Sequence, residues 1–365
     1  MNSRGPALVP PPPLDARIQA FAKLGEVFRA LGAGTAWPGH GCGLAEVEYR
    51  AADEAVQRAA ARNAWFTTDN VRHMLRSLGA MLKPEVLAHW INASSVPPAY
   101  GRPPRTIGII TAGNIPLVGF HDILSALIVG HKARVRVSSE DAGLTVAVVD
   151  MLRLLAPDLG GRVEVTEGRL GEVDAVIATG SNNTARYFEH YFGHLPHIIR
   201  RNRTSVAVLD GTETEAELAA LGEDLFRYFG LGCRNVGKLY LPADFDLDRI
   251  IAAILPWGHL AQHAKWANNY DYHKAIWLLD RVPLIENGFV LFKEDQGLHS
   301  PLGSIYYERY TDRQDVNATL AANADRIQCV VGHGHVPFGQ AQCPAPWDYA
   351  DGVDTLAFLA GAGQS

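Results

Sequence analysis

The stretch RTIGIITAGNIPLVGFHDILSALIVGHKARVRVSS, residues 105–139, decides the fold class. Residues 107–110 and 133–137 are short apolar runs typical of buried strands, and an apolar helix is predicted between them. Pro116 stands where a first helical residue is expected, and Gly130 stands where a helix ends. Short buried strands that alternate with helices indicate a parallel sheet covered on both faces. The sequence therefore predicts an α/β fold.

The same alternation continues along the chain. Before the stretch, residues 16–97 read as amphipathic helices, and the proline-rich residues 96–105 read as an extended connector. After it, further helices are predicted over residues 144–155, 182–192 and 215–229. Further strands are predicted over residues 163–165, 173–178, 205–209, 238–241, 276–279, 289–292 and 304–307. We therefore predict two lobes, each containing a parallel sheet.

The composition excludes several classes of protein. The chain has 365 residues, of which 47% are hydrophobic and 20% charged, and this content supports a packed core rather than a disordered chain. Its net charge of −6 argues against binding to nucleic acid, where a basic face supplies much of the affinity. Its four cysteines form neither a disulfide framework nor a CxxC metal site, so we expect a reducing compartment.

The N-terminus and the most apolar segment indicate a cytoplasmic protein without a membrane span. Residues 1–15 contain four consecutive prolines and no apolar core of an export signal, so we expect a disordered tail. The most apolar segment, residues 107–130, is interrupted by Asn114, His121 and Asp122. A membrane span would be about 20 mostly apolar residues with few charges. A buried strand followed by a buried helix explains this segment better.

Several common motifs are absent from the sequence. It contains no GxGxxG, no GxxxxGK[ST] and no GxSxG. Two histidine pairs, at residues 259 and 263 and at residues 333 and 335, stand without an HExxH or CxxC partner. We therefore predict no metal site. Gly180 and Ser181 open a helix whose N-terminus offers N–H groups to an anion, although on this signal alone an ordinary N-cap serine explains Ser181 better.

Cys233 is the cysteine that stands out by its surroundings, YFGLGCRNVGK. Gly230 and Gly232 allow the backbone to bend sharply and leave the thiol open to a substrate. The neighbouring Arg234 offers a positive charge that lowers a thiol pKa. The alternative is a buried structural cysteine between a helix and a strand.

Five motifs together resemble one family. They are residues 111–141 (TAGNIPLVGFHDILSALIVGHKARVRVSSED), 178–188 (ATGSNNTARYF), 200–211 (RRNRTSVAVLDG), 223–242 (EDLFRYFGLGCRNVGKLYLP) and 338–359 (FGQAQ…DYADGVDTLAFL). In this order they resemble acyl-CoA reductases, relatives of the fatty-acid reductase of bacterial bioluminescence within the aldehyde dehydrogenase superfamily. The resemblance runs from about residue 105 onward.

The resemblance implies a role for individual residues of this chain. It makes Cys233 the nucleophile and makes Asn114 the side chain that stabilises the oxyanion together with backbone N–H groups. It places the remaining site residues beside a nicotinamide dinucleotide: Thr111, Arg136, Ser138 and Ser139 after two strands, Gly180 and Ser181 at the pyrophosphate, and Glu294 at the nicotinamide ribose.

Two departures from the superfamily pattern favour thioester chemistry with NADPH. Acid-forming aldehyde dehydrogenases carry a glutamate base in an ELGGK segment, where this chain reads IRRNRT at residues 199–204. A reductase of thioesters does not need that base, because no water has to attack the acyl-enzyme. The ribose-binding glutamate is replaced by Ser139, with Arg134 and Arg136 nearby, and arginines attract a 2′-phosphate. NADH is therefore the less favoured cofactor.

The resemblance implies an NADPH-dependent reduction of an acyl-CoA or other acyl thioester to the aldehyde through an acyl-Cys233 intermediate. The alternatives are an acyl-phosphate reductase, an aldehyde dehydrogenase, and an acyl-transferring or non-catalytic subunit that docks on an acyl-activating or carrier protein. The predicted domains are a tail over 1–15, a helical lead and NAD(P)-binding lobe over 16–211, a catalytic lobe over 212–337 and a C-terminal segment over 338–365. The last segment is an expected oligomerisation arm, so a homo-oligomer is predicted.

Overall fold

The computed structural model describes residues 10–94 and 103–361, and these form two compact units. The first comprises Met1–Arg201 and Ala345–Ser365, and the second comprises Asn202–Pro344. The boundaries between the units thus fall at residues 201/202 and 344/345. The sequence predicts them at residues 211/212 and 337/338 instead. The connector over residues 95–102 and the tail up to residue 9 lie outside the described residues, and the first helix begins at Leu14, within the span predicted as tail.

Thirteen helices, α1 to α13, and eleven strands, β1 to β11, are found in the described chain. The helices are Leu14–Gly32, Glu46–Arg62, Thr68–Met81, Pro84–Ala93, Phe120–Val129, Ala142–Leu155, Pro157–Gly160, Asn182–Phe192, Glu215–Phe226, Leu247–Ala253, Ala264–Leu279, Arg313–Ala322 and Thr355–Gly361. The strands are Thr106–Ile110, Lys132–Arg136, Val163–Thr166, Ala175–Thr179, His197–Arg200, Thr204–Val208, Val236–Pro242, Ile285–Glu286, Leu291–Glu294, Ser304–Tyr310 and Ile327–Val331. None of these helices combines the length and apolar composition needed to cross a bilayer.

The first unit contains a five-stranded sheet in the order β3-β2-β1-β4-β5, and all its pairings are parallel. Ile107 lies opposite Ala133 of β2 and Ala175 of β4, and all three side chains are buried. The apolar runs of the sequence are therefore central strands covered on both faces. The predicted α/β class is confirmed.

The second unit contains a six-stranded sheet in the order β11-β6-β7-β10-β9-β8, parallel except for the antiparallel pair of β8 and β9. Two predictions here are wrong. Residues 276–279 are the last turn of α11 rather than a strand, because a short apolar run fits both structures. The helix predicted over 215–229 ends at Phe226, because Tyr228 and Phe229 have φ of 54° and 56°.

The start of α5 also differs from the prediction. The helix begins at Phe120 rather than at Pro116, because Leu117 has a φ of 53° and cannot continue a right-handed helix. The other end agrees: Gly130 caps the helix with a φ of 102°. Residues 115–119 are therefore a tight turn between β1 and α5.

The C-terminal segment packs on the first unit of its own chain. The carbonyl oxygens of Pro346 and Leu359 lie 2.8 Å and 3.1 Å from Nε2 of His121 and His131. Leu356 and Leu359 of α13 are buried. The predicted role of this segment as an oligomerisation arm stays a prediction.

Candidate active site

A cavity of about 430 Å³ lies at the carboxyl ends of the strands in the first unit. Residues 110–113 lie at the end of β1, residues 136–139 at the end of β2, and residues 179–180 at the end of β4, while Glu167 follows β3. Thr184 and Phe188 of α8 complete the lining. Open parallel sheets bind ligands at this edge, where the strand order changes direction. In the order β3-β2-β1-β4-β5, that change occurs between β1 and β4.

Two glycines allow close approach at this cavity. A Cβ added to Gly113 would lie 2.4 Å from Oγ of Ser138. A Cβ added to Gly180 would lie 3.0 Å from Cβ of Thr184 and 3.1 Å from the ring of Phe188. Ser181 caps α8 by accepting a hydrogen bond from the Thr184 N–H, so the first helical turn lies next to the cavity wall.

Thr111 lines the cavity with an unsatisfied hydroxyl. The residue is 8% exposed, and its Oγ1 has no hydrogen-bond partner among the described residues. A buried hydroxyl without a partner costs folding free energy, of the order of 1–3 kcal/mol. A polar ligand in the cavity would supply the missing partner, so this hydroxyl fits a binding site.

The turn that carries Asn114 is held from two sides. Asn63, 2% exposed at the end of α2, donates from Nδ2 to the Gly113 carbonyl oxygen at 3.2 Å and to Oε2 of Glu140 at 3.0 Å. The Leu117 N–H donates to Oδ1 of Asp141, whose other carboxylate oxygen accepts from the Thr145 hydroxyl. Burial raises the pKa of Asp141 to about 7. Asn114 itself is exposed on this fixed turn.

Cys233 lies in a turn of unusual backbone geometry in the second unit. Tyr228 and Phe229 are buried, bulky residues with positive φ, and Gly230 follows with a φ of 70°. The left-handed conformation is strained at Tyr228 and Phe229 and persists only where the surroundings fix it, and such strain is concentrated at functional sites. The Cys233 side chain is half-buried and forms no disulfide.

Asn235 fixes this turn with a single buried side chain. Its Nδ2 donates to the carbonyl oxygens of Asp224 and Arg227 at 3.2 and 2.8 Å, and its Oδ1 accepts from the Gly232 N–H at 2.8 Å. The hydroxyl of Ser205 on β6 donates to the Cys233 carbonyl oxygen at 3.0 Å. The main chain on both sides of Cys233 is therefore tied to neighbouring elements.

A buried carboxylate holds the segment that contacts Arg234. Asp224 on α9 accepts hydrogen bonds from the N–H groups of Gly339 and Ala341 at 2.6 and 2.9 Å. Burial raises the pKa of Asp224 to about 7. The Ala341 carbonyl oxygen in turn accepts from Nε of Arg234, so the guanidinium predicted to assist the thiol is held at that oxygen.

The arginine-rich segment at residues 199–204 is engaged in ion pairs and backbone contacts. Arg200 makes a two-point ion pair with Asp122, at 2.7 and 2.8 Å, and both side chains are buried. Arg201 pairs with Glu189. Acid-forming enzymes carry their glutamate base in the segment that corresponds to residues 199–204. In this chain that segment contains Arg200, whose charge is neutralised by Asp122 inside the first unit.

His333, one of the second pair of histidines, is engaged by carboxylates on both sides of its ring. Asp210, Glu213 and His333 have ligand atoms within 4.8 Å of one another. Both ring nitrogens of His333 are bound to carboxylates, at 2.8 Å to Asp210 and 3.0 Å to Glu217. These contacts raise the pKa of His333 to about 9, so the ring is an imidazolium without a lone pair for a metal.

A second cavity, of about 30 Å³, lies next to the Cys233 turn. Leu225, Phe229, Asn235 and Trp266 are among its lining residues. It has room for about two water molecules.

Most of the predicted cofactor residues come together in the structure. Thr111, Arg136, Ser138, Ser139 and Gly180 line the first cavity, and Ser181 caps the adjoining helix. Glu294, in contrast, lies exposed at the end of β9 in the second unit. Its role at the nicotinamide ribose stays a prediction.

Sequence reasoning missed Glu167, Asn63 and Asn235. A signal for Glu167 was present, because it lies just past the strand predicted over residues 163–165, which ends at the ligand-binding edge of a parallel sheet. No feature of the sequence marks Asn63 or Asn235, because asparagine is common between secondary-structure elements.

The sequence matches no model of a protein family and no curated protein. Solved structures do match. An oxidoreductase from Marinobacter aquaeolei has a TM-score of 0.62 at 13% identity, over 89% of this chain and 75% of that one. A Mycobacterium tuberculosis aldehyde dehydrogenase complexed with NAD+ has a TM-score of 0.56 at 15% identity, over 87% of this chain and 76% of that one. Aldehyde dehydrogenase 21 from Physcomitrella patens has a TM-score of 0.56 at 10% identity, over 87% of this chain and 76% of that one. The chain therefore has the α/β fold of the aldehyde dehydrogenases.

Proposed function

We propose that the protein is an NADPH-dependent reductase that converts an acyl-CoA, or another acyl thioester, to the aldehyde through an acyl-Cys233 intermediate. The observation that carries the proposal is the segment at residues 199–204, which has no carboxylate and whose Arg200 is closed in a buried ion pair with Asp122. Acid-forming aldehyde dehydrogenases need a glutamate there to activate water. Without it, the thioester is preserved for reduction.

The residues around the first cavity fit a dinucleotide. The Thr111 hydroxyl lacks a partner that a ligand would supply, and the absence of a Cβ at Gly113 and Gly180 lets side chains of the cavity wall pack directly on the backbone. The first turn of α8 favours the pyrophosphate, and Arg136 attracts a 2′-phosphate. The M. tuberculosis enzyme of this fold was solved with NAD+. When bound, NADPH supplies a hydride to the thioester carbon.

The chain itself carries out the thioester chemistry at Cys233. Its thiolate forms a bond to the acyl carbonyl carbon, the bond from that carbon to the sulfur of coenzyme A breaks, and coenzyme A leaves as the thiolate. After the carbon has gained a hydride and its oxygen a proton, the C–S bond to Cys233 breaks, the hydroxyl proton is lost, and the aldehyde and the Cys233 thiolate are released. Donors to the carbonyl oxygen, the role that the resemblance gives to Asn114, contribute about 3 to 4 kcal/mol each.

The experiment is a panel of acyl-CoAs incubated with the full-length protein and NADPH or NADH, following cofactor oxidation. We expect oxidation that depends on acyl-CoA, and a loss of about 10³-fold or more in Cys233→Ala, with NADPH binding unchanged. Cys343→Ala removes an exposed thiol and serves as the matched control.

Three outcomes would contradict the proposal. Turnover of acyl phosphates but not acyl-CoAs would assign the protein to acyl-phosphate reductases. Oxidation of aldehydes to acids would assign it to ordinary aldehyde dehydrogenases. An acyl adduct on Cys233, seen by intact mass without any cofactor oxidation, would indicate an acyl-transferring subunit.

A further inference from the structure

Two side chains carry the charge of the first cavity. Among the thirteen described residues that line it, the charged ones are Arg136 and Glu167; the others are apolar, glycine or hydroxyl residues. A positive and a negative group therefore face one ligand.

A neighbouring pair shows what distinguishes these two residues. Arg134 and Glu164, on the same strands β2 and β3, form an ion pair at 2.8 Å, and Arg134 also donates to the carbonyl oxygens of Leu170 and Glu172. Neither residue lines the cavity. Within the described chain, Arg136 and Glu167 form no such pair with each other. Their charges act on whatever the cavity holds.

The backbone fixes Glu167 beside Arg136. Arg136 lies opposite Thr166 in the parallel pairing of β2 and β3, and Glu167 is the next residue. The Val137 N–H donates to the Thr166 carbonyl oxygen at 3.1 Å, and the Gly168 N–H donates to the Thr166 hydroxyl at 3.0 Å. The turn that carries Glu167 is thus held against the end of β2.

We infer that Glu167 is a specificity-determining residue of the cofactor cavity, whose carboxylate opposes the attraction of Arg136 for a 2′-phosphate and keeps the preference for NADPH over NADH small. The inference rests on the proposed dinucleotide site. A carboxylate repels the doubly charged phosphate but does not repel the ribose hydroxyl that NADH carries there.

The test is the binding of NADPH and NADH to the full-length protein without acyl substrate, followed by nicotinamide fluorescence at low salt. In Glu167→Gln we expect the Kd of NADPH to fall about tenfold and that of NADH to change less than about twofold. In Arg136→Gln we expect the Kd of NADPH to rise. Glu172→Gln, an exposed carboxylate of the same β3–β4 loop outside the cavity, is the matched control and should change neither.

Equal shifts for both cofactors in Glu167→Gln would overturn the inference, because the carboxylate would then contact a part that both share. An absence of any shift would overturn it as well. If the cofactor-specific shift appears but acyl-CoA is not reduced, the inference stands and the thioester function fails. If the wild-type protein binds neither cofactor, both fail.

Discussion

The cavity of the first unit and the Cys233 turn of the second unit differ in whether their buried polar groups already have hydrogen-bond partners. In the cavity, the buried Thr111 hydroxyl has no partner among the described residues, and two charged side chains face an open space of about 430 Å³. In the turn, the buried Asn235 side chain makes three hydrogen bonds to main-chain atoms. A binding site, the role proposed for the cavity, leaves hydrogen-bonding capacity for its ligand, whereas a nucleophile, the role proposed for Cys233, is positioned by neighbours whose hydrogen bonds are already satisfied.

This difference fixes the sign of mutational effects. Removing a satisfied buried polar group leaves its partners unpaired and destabilises the protein. Removing a group that has no partner relieves a cost that the folded protein already bears, at the expense of its ligand. The predictions below test each side of the comparison.

The largest effect is expected for Asn235→Ala. The substitution removes the Asn235 amide, so the carbonyl oxygens of Asp224 and Arg227 and the Gly232 N–H lose this partner. The same turn already contains residues with positive φ. We expect the free energy of unfolding to fall by about 3 kcal/mol in urea denaturation. Asn268→Ala, at an exposed position on α11, should cost less than about 0.5 kcal/mol. Similar small losses in both variants would show that the turn is held by other contacts.

The sequence predicts the fold class, because buried parallel strands read as short apolar runs whatever their neighbours. It also predicts most of the cavity lining once the resemblance places Thr111, Ser138 and Gly180, since the carboxyl ends of parallel strands meet at one edge. The sequence does not show which arginine faces the cavity. Arg134 and Arg136 look equivalent in the sequence. Only the structure shows that Arg134 is engaged by Glu164 and so is not the arginine that faces the cavity.

The local contacts that shape the site are not readable from the sequence. Asn63 reaches Gly113 across 50 residues, and Ser205 reaches Cys233 across 28. Tyr228 and Phe229 adopt positive φ although bulky residues disfavour it, because tertiary contacts over-determine their conformation. Periodicity and spacing describe neighbours along the chain and therefore cannot reveal such contacts.

Thr111→Val tests the cavity side of the comparison. Valine has the shape of threonine without the hydroxyl, so we expect the free energy of unfolding to rise by about 1 kcal/mol. The Kd of NADPH should rise about tenfold, because the bound cofactor loses a hydrogen bond. Urea denaturation and fluorescence titration measure the two effects. Thr319→Val, at a half-buried position on α12 outside the cavity, is the control and should not change the Kd. A destabilised Thr111→Val protein would contradict the comparison.

The smallest effect concerns the buried carboxylates, one in each unit. Burial raises the pKa values of Asp141 and Asp224 to about 7, above the roughly 3.9 of an unfolded aspartate. The folded protein therefore binds more protons than the unfolded chain between about pH 4 and 7. Each group stabilises the fold fully below about pH 4, and this contribution is lost as the pH rises through 7. His333, with its pKa raised to about 9, adds a loss in the same direction from about pH 6.5 upward.

The two carboxylates should respond differently to replacement by asparagine. In Asp141→Asn, the amide oxygen can accept from the Leu117 N–H while the amide nitrogen donates to the Thr145 hydroxyl, so every group keeps a partner. In Asp224→Asn, the amide nitrogen would face one of two main-chain N–H donors, Gly339 or Ala341. We expect Asp141→Asn to reduce the loss of stability between pH 6 and pH 8 by about 1 kcal/mol relative to wild type, and Asp224→Asn to be destabilised at both pH values. Urea denaturation at the two pH values measures the loss of stability in each protein. His333 contributes equally to the wild type and to both variants, so its contribution cancels in the comparison. If Asp141→Asn kept the full pH dependence of the wild type, the Asn114 turn would not be held by a titrating carboxylate.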